Sequence, residues 1–309
     1  FKASAMPYQL KELPLVIRAH DLLQNKIINS LVHFFNFLGT LPFFFLLFPF
    51  FWVLYGWQSS FKYLLVILIG LPIIDILKLL LSLPRPGHLI SFEIGHIASG
   101  FGLPSGHSCL AVLILFGFYF LRPIKTRSLF IDRLLFSCFL LLSLGTATSR
   151  VILSAHFISD VIAGLILGGL LLITLLTLEK YYKLLSSFII PSTKLWLCFL
   201  ILLCLLIFIF NLPSFIYSLF FSFLIFYLLK FFPYNYFQIR ETLIVRLFFI
   251  TTSIIGCFGL TYFKSVILLG LSSTIFFILT RAVFYLLIGF WLLCIVPFLT
   301  TTLFNKSNY

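Results

Sequence analysis

The feature that most constrains this chain is a series of apolar runs that continue along almost its whole length. A membrane-spanning helix needs roughly 20 mostly apolar residues, and about ten segments come near that length. The predicted spans are 29–56, 61–82, 105–122, 134–148, 157–178, 195–211, 213–231, 243–263, 265–280 and 282–303. Because the apolar residues do not alternate with polar ones, the runs favour helices over transmembrane β-strands. We therefore predict an all-α fold, a polytopic transmembrane helical bundle of about 9–10 spans.

Composition excludes the soluble classes of protein. Hydrophobic residues make up 62% of the 309 residues and charged residues only 9%, whereas charged residues make up about 25% of a typical soluble domain. A water-soluble fold of this length has too little interior to bury so much apolar surface. The chain is therefore neither a soluble enzyme, nor a disordered protein, nor a secreted disulfide scaffold. The 6 cysteines lie inside apolar runs without CxxC spacing, so we interpret them as core residues.

Three polar motifs interrupt the apolar pattern in the first half of the chain. Lys78 and Arg85–Pro86, in K-x6-R-P spacing, stand at the end of the second span, and Pro104–His107 reads PSGH at the start of the third. Ser149–Asp160 follows the pattern S-R-x5-H-x3-D and leads into the fifth span. Ionisable residues inside a membrane are costly and mark functional sites. Because successive spans alternate in direction, all three motifs are predicted to meet at one membrane surface.

One group of motif residues suits an anion. Lys78, Arg85 and Arg150 have no matching cluster of acids. Convergent cations of this kind fit a tetrahedral dianion such as phosphate, which arginine can bind through two N–H groups. Ser105 and Gly106 open a helix, where free backbone N–H groups and the helix dipole favour the same ligand. Gly106 also lets the backbone approach the anion closely.

The histidines suit phosphoryl transfer. His156 and Asp160 stand four residues apart, so one helical face is predicted to bring them together. The carboxylate then holds one imidazole nitrogen and leaves the other as a free nucleophile. His107 is available as a general acid that protonates the leaving oxygen. A nucleophile and an acid of this kind need no metal ion and no other cofactor, and none is predicted.

Other polar residues near the motifs are interpreted as structural. Asp75, one turn before Lys78, is expected to pair with it and so to lower the cost of both charges in lipid. His88, Glu93 and His96 are interpreted as solvated loop residues.

With every motif position matched, Lys78–Pro86, Pro104–His107 and Ser149–Asp160 resemble the three motifs of the type 2 phosphatidic acid phosphatase superfamily. The resemblance covers about residues 30–180. It implies that His156 is the nucleophile that forms a phosphohistidine, that Asp160 orients it, and that His107 is the general acid. It also implies a phosphate site without a metal, made by Lys78, Arg85, Ser105, Gly106 and Arg150.

The resemblance also sets the expected domain organisation. An N-terminal interfacial segment at 1–28 precedes a phosphatase core at 29–180, and a C-terminal transmembrane helical region follows at 181–309. The core is expected to contain about five to six helices. A core followed by several further spans is similar in layout to glucose-6-phosphatase and sphingosine-1-phosphate phosphatase, although this likeness does not specify a sugar phosphate.

The leading hypothesis is an integral-membrane phosphatase that hydrolyses a lipid phosphate monoester or a lipid diphosphate through a phosphohistidine. A lipid is favoured because the site should open at the level of the head groups. The alternatives are a phosphotransferase that passes the group to another lipid or a sugar, a sugar phosphatase similar to glucose-6-phosphatase, and a non-enzymatic transporter or scaffold. The expected partners are the lipid phosphate substrate and membrane lipid, and no protein partner is predicted.

The net charge of +13 is interpreted through the positive-inside rule and not through binding of nucleic acid. The cations on the side opposite the motif loops are Lys62, Arg122, Lys125, Arg127, Arg133, Lys180, Lys183, Lys194, Lys230, Arg240 and Arg246. The motif side receives Lys2, Lys11, Arg18, Lys26, Lys264 and Lys306 besides the motif cations. This excess predicts an active site on the non-cytoplasmic face.

The low Met and high Phe, Ile and Lys content is typical of an AT-rich bacterial genome, so the expected location is the bacterial cytoplasmic (inner) membrane.

Overall fold

The computed structural model describes residues 7–89, 100–123, 128–184, 242–269 and 287–305, together with positions 186, 194, 197, 198, 201, 202, 205, 280, 283 and 284. The regular structure of these residues is helical, which confirms the predicted all-α fold. Among them the helices long and apolar enough to cross a membrane are Leu41–Leu89, Leu129–Ile152, Ile158–Tyr182, Leu243–Leu268 and Leu287–Phe304. Gly106–Leu121 is a shorter apolar helix. The protein is therefore a multi-pass membrane protein.

The helices follow one another with short connections through most of the described chain. They are α1 (Pro7–His20), α2 (Lys26–Leu38), α3 (Leu41–Leu81), α4 (Pro86–Leu89), α5 (Gly106–Leu121), α6 (Leu129–Ile152), α7 (Ile158–Tyr182), α8 (Leu243–Leu269) and α9 (Val296–Asn305). A 3₁₀ turn at Asp21–Gln24 joins α1 to α2, and a π-helical turn at Trp291–Ile295 leads into α9. The predicted span 213–231 and most of 195–211 and 265–280 lie outside the described residues.

The predicted first span, 29–56, is wrong as a single helix, because the helix is interrupted at Gly39–Thr40. The Thr40 hydroxyl accepts a hydrogen bond from Phe43 N at 3.4 Å and so begins α3. Threonine is favourable at this position because its oxygen satisfies an N–H that the helix leaves unpaired. Glycine is required at the break for a steric reason, since a Cβ on Gly39 would lie 2.5 Å from His107 O. The break therefore seats the end of α2 against the first turn of α5.

Helix α3 is a hairpin that turns at Gly56. The backbone of Gly56 has φ 81° and ψ 167°, a conformation open to glycine but strained for other residues. The ring centroids of Phe44 and Tyr63 are 5.0 Å apart, and those of Trp52 and Phe61 are 5.5 Å apart. Along a straight helix, residues as distant in sequence as Phe44 and Tyr63 would be separated by roughly 28 Å. The chain therefore folds back, and the second arm, which ends at Leu81, is the predicted span 61–82.

Two other predicted boundaries need correction. Helix α6 starts at Leu129, five residues before the predicted 134–148, because the Ser128 hydroxyl caps it and Asp132 pairs with Arg122. A polar residue is tolerated in this first turn because it has a partner there. Helix α8 continues through Lys264 to Leu269, so no break separates the predicted spans 243–263 and 265–280 at that lysine.

The chain divides into two compact units. The first comprises Phe1–Phe43 and Ile69–Thr177, and the second comprises Phe44–Leu68 and Leu178–Tyr309. In the first unit, α2 and α5 both pack on α6. In the second, the aromatic residues of the α3 hairpin continue onto α8 through Trp52 and Phe249, whose centroids are 5.5 Å apart. The domain boundaries at residues 28 and 180 stay a prediction.

Candidate active site

The predicted site residues all lie in the first unit, at the ends of helices α3, α5, α6 and α7. They are Lys78 in the last turn of α3, Arg85 just ahead of α4, Ser105, Gly106 and His107 at the start of α5, Arg150 in the last turn of α6, His156 in the connection 153–157, and Asp160 in the first turn of α7. Hydrogen bonds and close backbone approaches join these helix ends into one cluster.

His156 and Asp160 form the centre of the cluster, although not as two residues on one helical face. His156 precedes α7, and its Nδ1 lies 3.3 Å from Asp160 Oδ2. The same oxygen accepts a hydrogen bond from Phe157 N at 3.1 Å, which fixes the turn that carries the imidazole. His156 is 1% exposed and Asp160 is 0% exposed, so water does not compete for the contact. Because the Arg85 guanidinium next to Nε2 can only donate, Nε2 presents a lone pair and the neutral ring carries its proton on Nδ1, which faces Asp160.

The surroundings of His156 keep its imidazole neutral. Burial lowers the pKa of His156 well below its ordinary value, and the positive charges of Arg85 and Arg150 lower it further. The charged form of a buried imidazole is disfavoured because it loses the stabilisation that water would give. A neutral imidazole with a lone pair on Nε2 is the form of histidine that can act as a nucleophile.

Arg85 lies against the edge of His156 that carries this lone pair. Its Nη1 is 3.2 Å from His156 Nε2, and because arginine only donates, Nε2 is the acceptor. Nη1 also donates to Ala155 O at 3.0 Å, and Nε donates to Gly100 O at 3.0 Å. These bonds fix the guanidinium between two loops. An anion beside Nε2 would therefore meet a positive charge that is already in place.

Arg150 supplies a second guanidinium, and its partners are neutral. Nη1 donates to Asn36 Oδ1 at 2.5 Å, and Nε is buried and has no hydrogen-bond partner among the described residues. In the described part of the chain, no carboxylate lies within ion-pair distance of it. The Arg150 carbonyl accepts from Ala155 N at 3.1 Å and from His156 N at 3.3 Å, so this residue also shapes the turn that carries the imidazole. A buried, uncompensated guanidinium is stabilised by an anion.

Lys78 lies beside the first turn of α5. A Cβ built on Gly106 would lie 3.5 Å from Lys78 Nζ, an ordinary contact distance, so glycine leaves room for a ligand atom between the helix start and the ammonium group. The expected ion pair of Lys78 with Asp75 does not form. The ion pairs of the described residues join Lys62 to Glu179, Arg122 to Asp132 and His156 to Asp160. Among the described residues, no carboxylate therefore pairs with Lys78 at contact distance.

Ser105 and His107 stand in different environments at the start of α5. Ser105 is buried and caps the helix, since its Oγ accepts from Ser108 Oγ at 3.0 Å and from Ser108 N at 3.5 Å. Ser105 N also donates to Asp160 O at 2.9 Å. Contact of Ser105 with a phosphate stays a prediction. His107 is half-buried, and its imidazole forms no hydrogen bond with a described residue. It lies within electrostatic range of the three cations of the cluster.

Two glycines that the sequence interpretation did not select hold α7 against α5. A Cβ on Gly164 would lie 2.5 Å from Ser105 O, and a Cβ on Gly168 would lie 2.8 Å from Cys109 O. Gly164 and Gly168 form a G-x-x-x-G pattern, in which small residues let membrane helices approach closely. This pattern was a readable signal that the start of α7, with Asp160, packs against the start of α5.

Polar residues of α1 and α2 also contact the segments that carry the predicted site residues, and the sequence interpretation missed them. Gln9 Nε2 donates to Pro84 O at 3.3 Å. A Glu12 carboxylate oxygen accepts from both Ser159 N and Ser159 Oγ at 3.1 Å. Gln9 and Glu12 carry no sequence signal, because polar residues are ordinary in a mixed segment. Asn36 does carry one, since an amide inside an apolar helix usually has a partner.

The loop after α4 contributes little to the described site. His88 is exposed, and its Nδ1 accepts from Arg85 N at 3.4 Å. Glu93 and His96 lie outside the described residues. Within the ranges that the structure describes, no group of three or more His, Cys, Asp or Glu side chains could hold a metal ion.

The cluster thus combines a neutral imidazole, held by a carboxylate, with three cations that form no direct ion pair with an acid among the described residues. Such a set can bind a dianion and attack its central atom. In the comparison with protein families, residues 59–184 match the family model of the PAP2 superfamily. Neither a curated protein nor a solved structure matches the chain.

Proposed function

We propose that this protein is an integral-membrane lipid phosphate phosphatase, since residues 59–184 belong to the PAP2 superfamily of phosphatases. It would hydrolyse a lipid phosphate monoester or a lipid diphosphate. The observation that carries the proposal is the contact of His156 Nδ1 with Asp160, which leaves Nε2 as a lone-pair acceptor facing Arg85. This is the arrangement that a histidine nucleophile needs beside a phosphate.

In the first step, the positive charges of Lys78, Arg85 and Arg150 bind the phosphoryl oxygens and stabilise the charge that builds up on them. His156 Nε2 attacks phosphorus. The N–P bond forms as the bond from phosphorus to the lipid oxygen breaks. Protonated His107 gives its proton to the departing oxygen, which leaves as an alcohol or, from a diphosphate, as a lipid monophosphate.

In the second step, water cleaves the phosphohistidine. His107, now neutral, accepts a proton from the water as its oxygen attacks phosphorus. The N–P bond breaks, inorganic phosphate leaves, and His156 regains its lone pair. Asp160 accepts a hydrogen bond from Nδ1–H throughout both steps. It therefore keeps the imidazole in the correct tautomer and stabilises the positive charge of the phosphorylated ring.

A lipid substrate is supported by the position of the cluster at the ends of apolar helices. The helices α3, α6 and α7, whose ends carry site residues, are long and apolar enough to cross a membrane. A group at the end of such a helix lies at the level of the lipid head groups. A phosphate attached to a lipid therefore reaches the cluster while its acyl chains stay in the bilayer.

Phosphate release from a panel of substrates tests the function. The protein is purified in detergent and assayed on phosphatidic acid, undecaprenyl diphosphate, phosphatidylglycerol phosphate, lipid A, sphingosine phosphate and glucose 6-phosphate. We expect release from at least one lipid phosphate, unchanged by EDTA because the scheme uses no metal. Vanadate should inhibit, since it adopts the five-coordinate geometry of the transition state.

The other outcomes each contradict part of the proposal. Loss of activity on chelation would exclude the metal-free scheme, and release from glucose 6-phosphate alone would make the protein a sugar phosphatase. Phosphate that appears only on an added lipid or sugar acceptor would make it a phosphotransferase. No turnover of any substrate would favour a non-enzymatic role.

The proposed location is a bacterial cytoplasmic membrane with the active site on the non-cytoplasmic face. Its support is the excess of Lys and Arg in connectors on the side opposite the catalytic loops, such as the one that joins α5 to α6. Those connectors would lie in the cytoplasm.

Single cysteines test this orientation in a background that lacks the native cysteines. Pro123→Cys places a thiol in the α5–α6 connector, and His88→Cys places one in the catalytic loop; both positions are exposed. An impermeant thiol reagent added to intact cells should label the second variant and leave the first unlabelled until the membrane is permeabilised. Labelling of the first variant alone in intact cells would show that the orientation is the reverse of the one proposed.

A further inference from the structure

The Arg150 guanidinium is held from outside the segment that matches the family. Its Nη1 donates to Asn36 Oδ1 at 2.5 Å, and Asn36 lies on α2, ahead of the matched residues 59–184. Arginine only donates, so the amide oxygen, and not the amide nitrogen, faces it. The bond joins residues 114 positions apart, and both are shielded from solvent to a large degree.

The backbone around Asn36 is docked on α6, so the amide does not move freely. Thr146 Oγ1 donates to Phe35 O at 3.0 Å. The Phe35 ring fills the space above Gly145, where a Cβ would lie 2.5 Å from ring atoms. These contacts flank the Asn36–Arg150 bond on both helices. The amide is therefore a fixed acceptor that selects one direction for the guanidinium.

We propose that Asn36 is a positioning residue that orients the Arg150 guanidinium toward the substrate phosphate without neutralising its charge; this inference rests on the proposed function. An amide oxygen carries no net charge, so the guanidinium keeps its full attraction for a dianion. A carboxylate in the same place would form a stronger, charge-assisted bond with Arg150. It would also repel the phosphate, so the neutral side chain is the one that suits catalysis.

Two substitutions at this position separate orientation from simple structural support. Asn36→Asp keeps an acceptor of the same shape but adds a negative charge, and Asn36→Ala removes the acceptor. The matched control is Asn29→Asp, seven residues earlier on the same helix. Orthovanadate affinity is measured by titration calorimetry in detergent, thermal unfolding is followed in parallel, and kcat and KM are measured with the lipid phosphate found in the panel.

We expect vanadate affinity to fall in the order wild type, Asn36→Ala, Asn36→Asp, with the aspartate variant weaker than wild type by roughly 10- to 100-fold. KM should rise in the same order, and the unfolding temperatures of the variants should stay close to that of wild type. Asn29→Asp should bind vanadate as tightly as wild type does. A purely structural role gives a different order, in which aspartate matches wild type and alanine is weakest.

The possible results distinguish failure of the Asn36 inference from failure of the proposed phosphatase function. If wild type binds vanadate and Asn36→Asp binds it equally well, this inference is overturned and the proposed function stands. If wild type neither binds vanadate nor releases phosphate, the proposed function fails and the inference fails with it. Should the aspartate variant unfold, the alanine variant decides alone, because unchanged vanadate affinity in a folded Asn36→Ala protein overturns the inference.

Discussion

Replacing His156 with alanine is expected to lower phosphate release by on the order of 10⁴-fold or more, the scale seen when a covalent nucleophile is removed. The reason is the geometry of the cluster, in which His156 Nε2 faces Arg85 and Nδ1 is held by Asp160. Among the described residues, no other side chain combines a neutral lone pair with this position. The measurement is release of labelled phosphate, together with an acid-quenched search for labelled protein.

The His156→Ala result is informative only if the variant folds. His33→Ala is the matched control, because it removes an exposed histidine of α2, and both variants should show an unchanged elution volume in detergent. Asp160→Asn should keep a reduced rate, since the amide misorients the imidazole but leaves it in place. Full activity of folded His156→Ala protein, or labelled protein at wild-type level, would exclude a phosphohistidine at this position.

The residues that lie together in the candidate site could be predicted from the sequence better than their hydrogen bonds. The proposed reaction requires particular residue types, such as the His156–Asp160 pair, so these residues are visible in a single chain. Their partners are dictated by packing: Arg85 reaches His156 across 71 positions, and Asn36 reaches Arg150 across 114. Nothing local in the sequence specifies which neutral side chain will face a given cation.

The fold shows the same division between composition and packing. Apolar runs predicted the helices because a bilayer requires paired backbone groups over about 20 residues. The polar residues at Gly56–Ser60 predicted the turn between the spans 29–56 and 61–82. Hydropathy does not distinguish a phenylalanine that faces lipid from one that packs on another helix, so the break at Gly39 did not follow from it. The turn and the break each depend on a glycine whose role is a positive φ or a close approach.

Gly164→Ala is expected to destabilise the protein and to reduce activity by roughly 10- to 100-fold, because a displacement of about 1 Å at a catalytic group costs this much. The added Cβ would lie 2.5 Å from Ser105 O, and a backbone oxygen cannot turn away as a flexible side chain can. The helices must separate, which moves the N-terminus of α5 away from Asp160. Overpacking of this kind typically costs about 1–3 kcal/mol. Thermal unfolding in detergent and kcat/KM measure the two effects.

The matched control for Gly164→Ala stands five residues later on the same helix. A Cβ on Gly169 would meet no atom within 4 Å, so Gly169→Ala makes the same chemical change without a clash. Alanine is favoured over glycine inside a helix by up to about 1 kcal/mol, and the control should therefore unfold at the same temperature as wild type or slightly higher, with full activity. The two substitutions are thus expected to change the unfolding temperature in opposite directions. Equal unfolding temperatures and equal rates for the two variants would mean that α7 does not need to approach α5 this closely for the site to form.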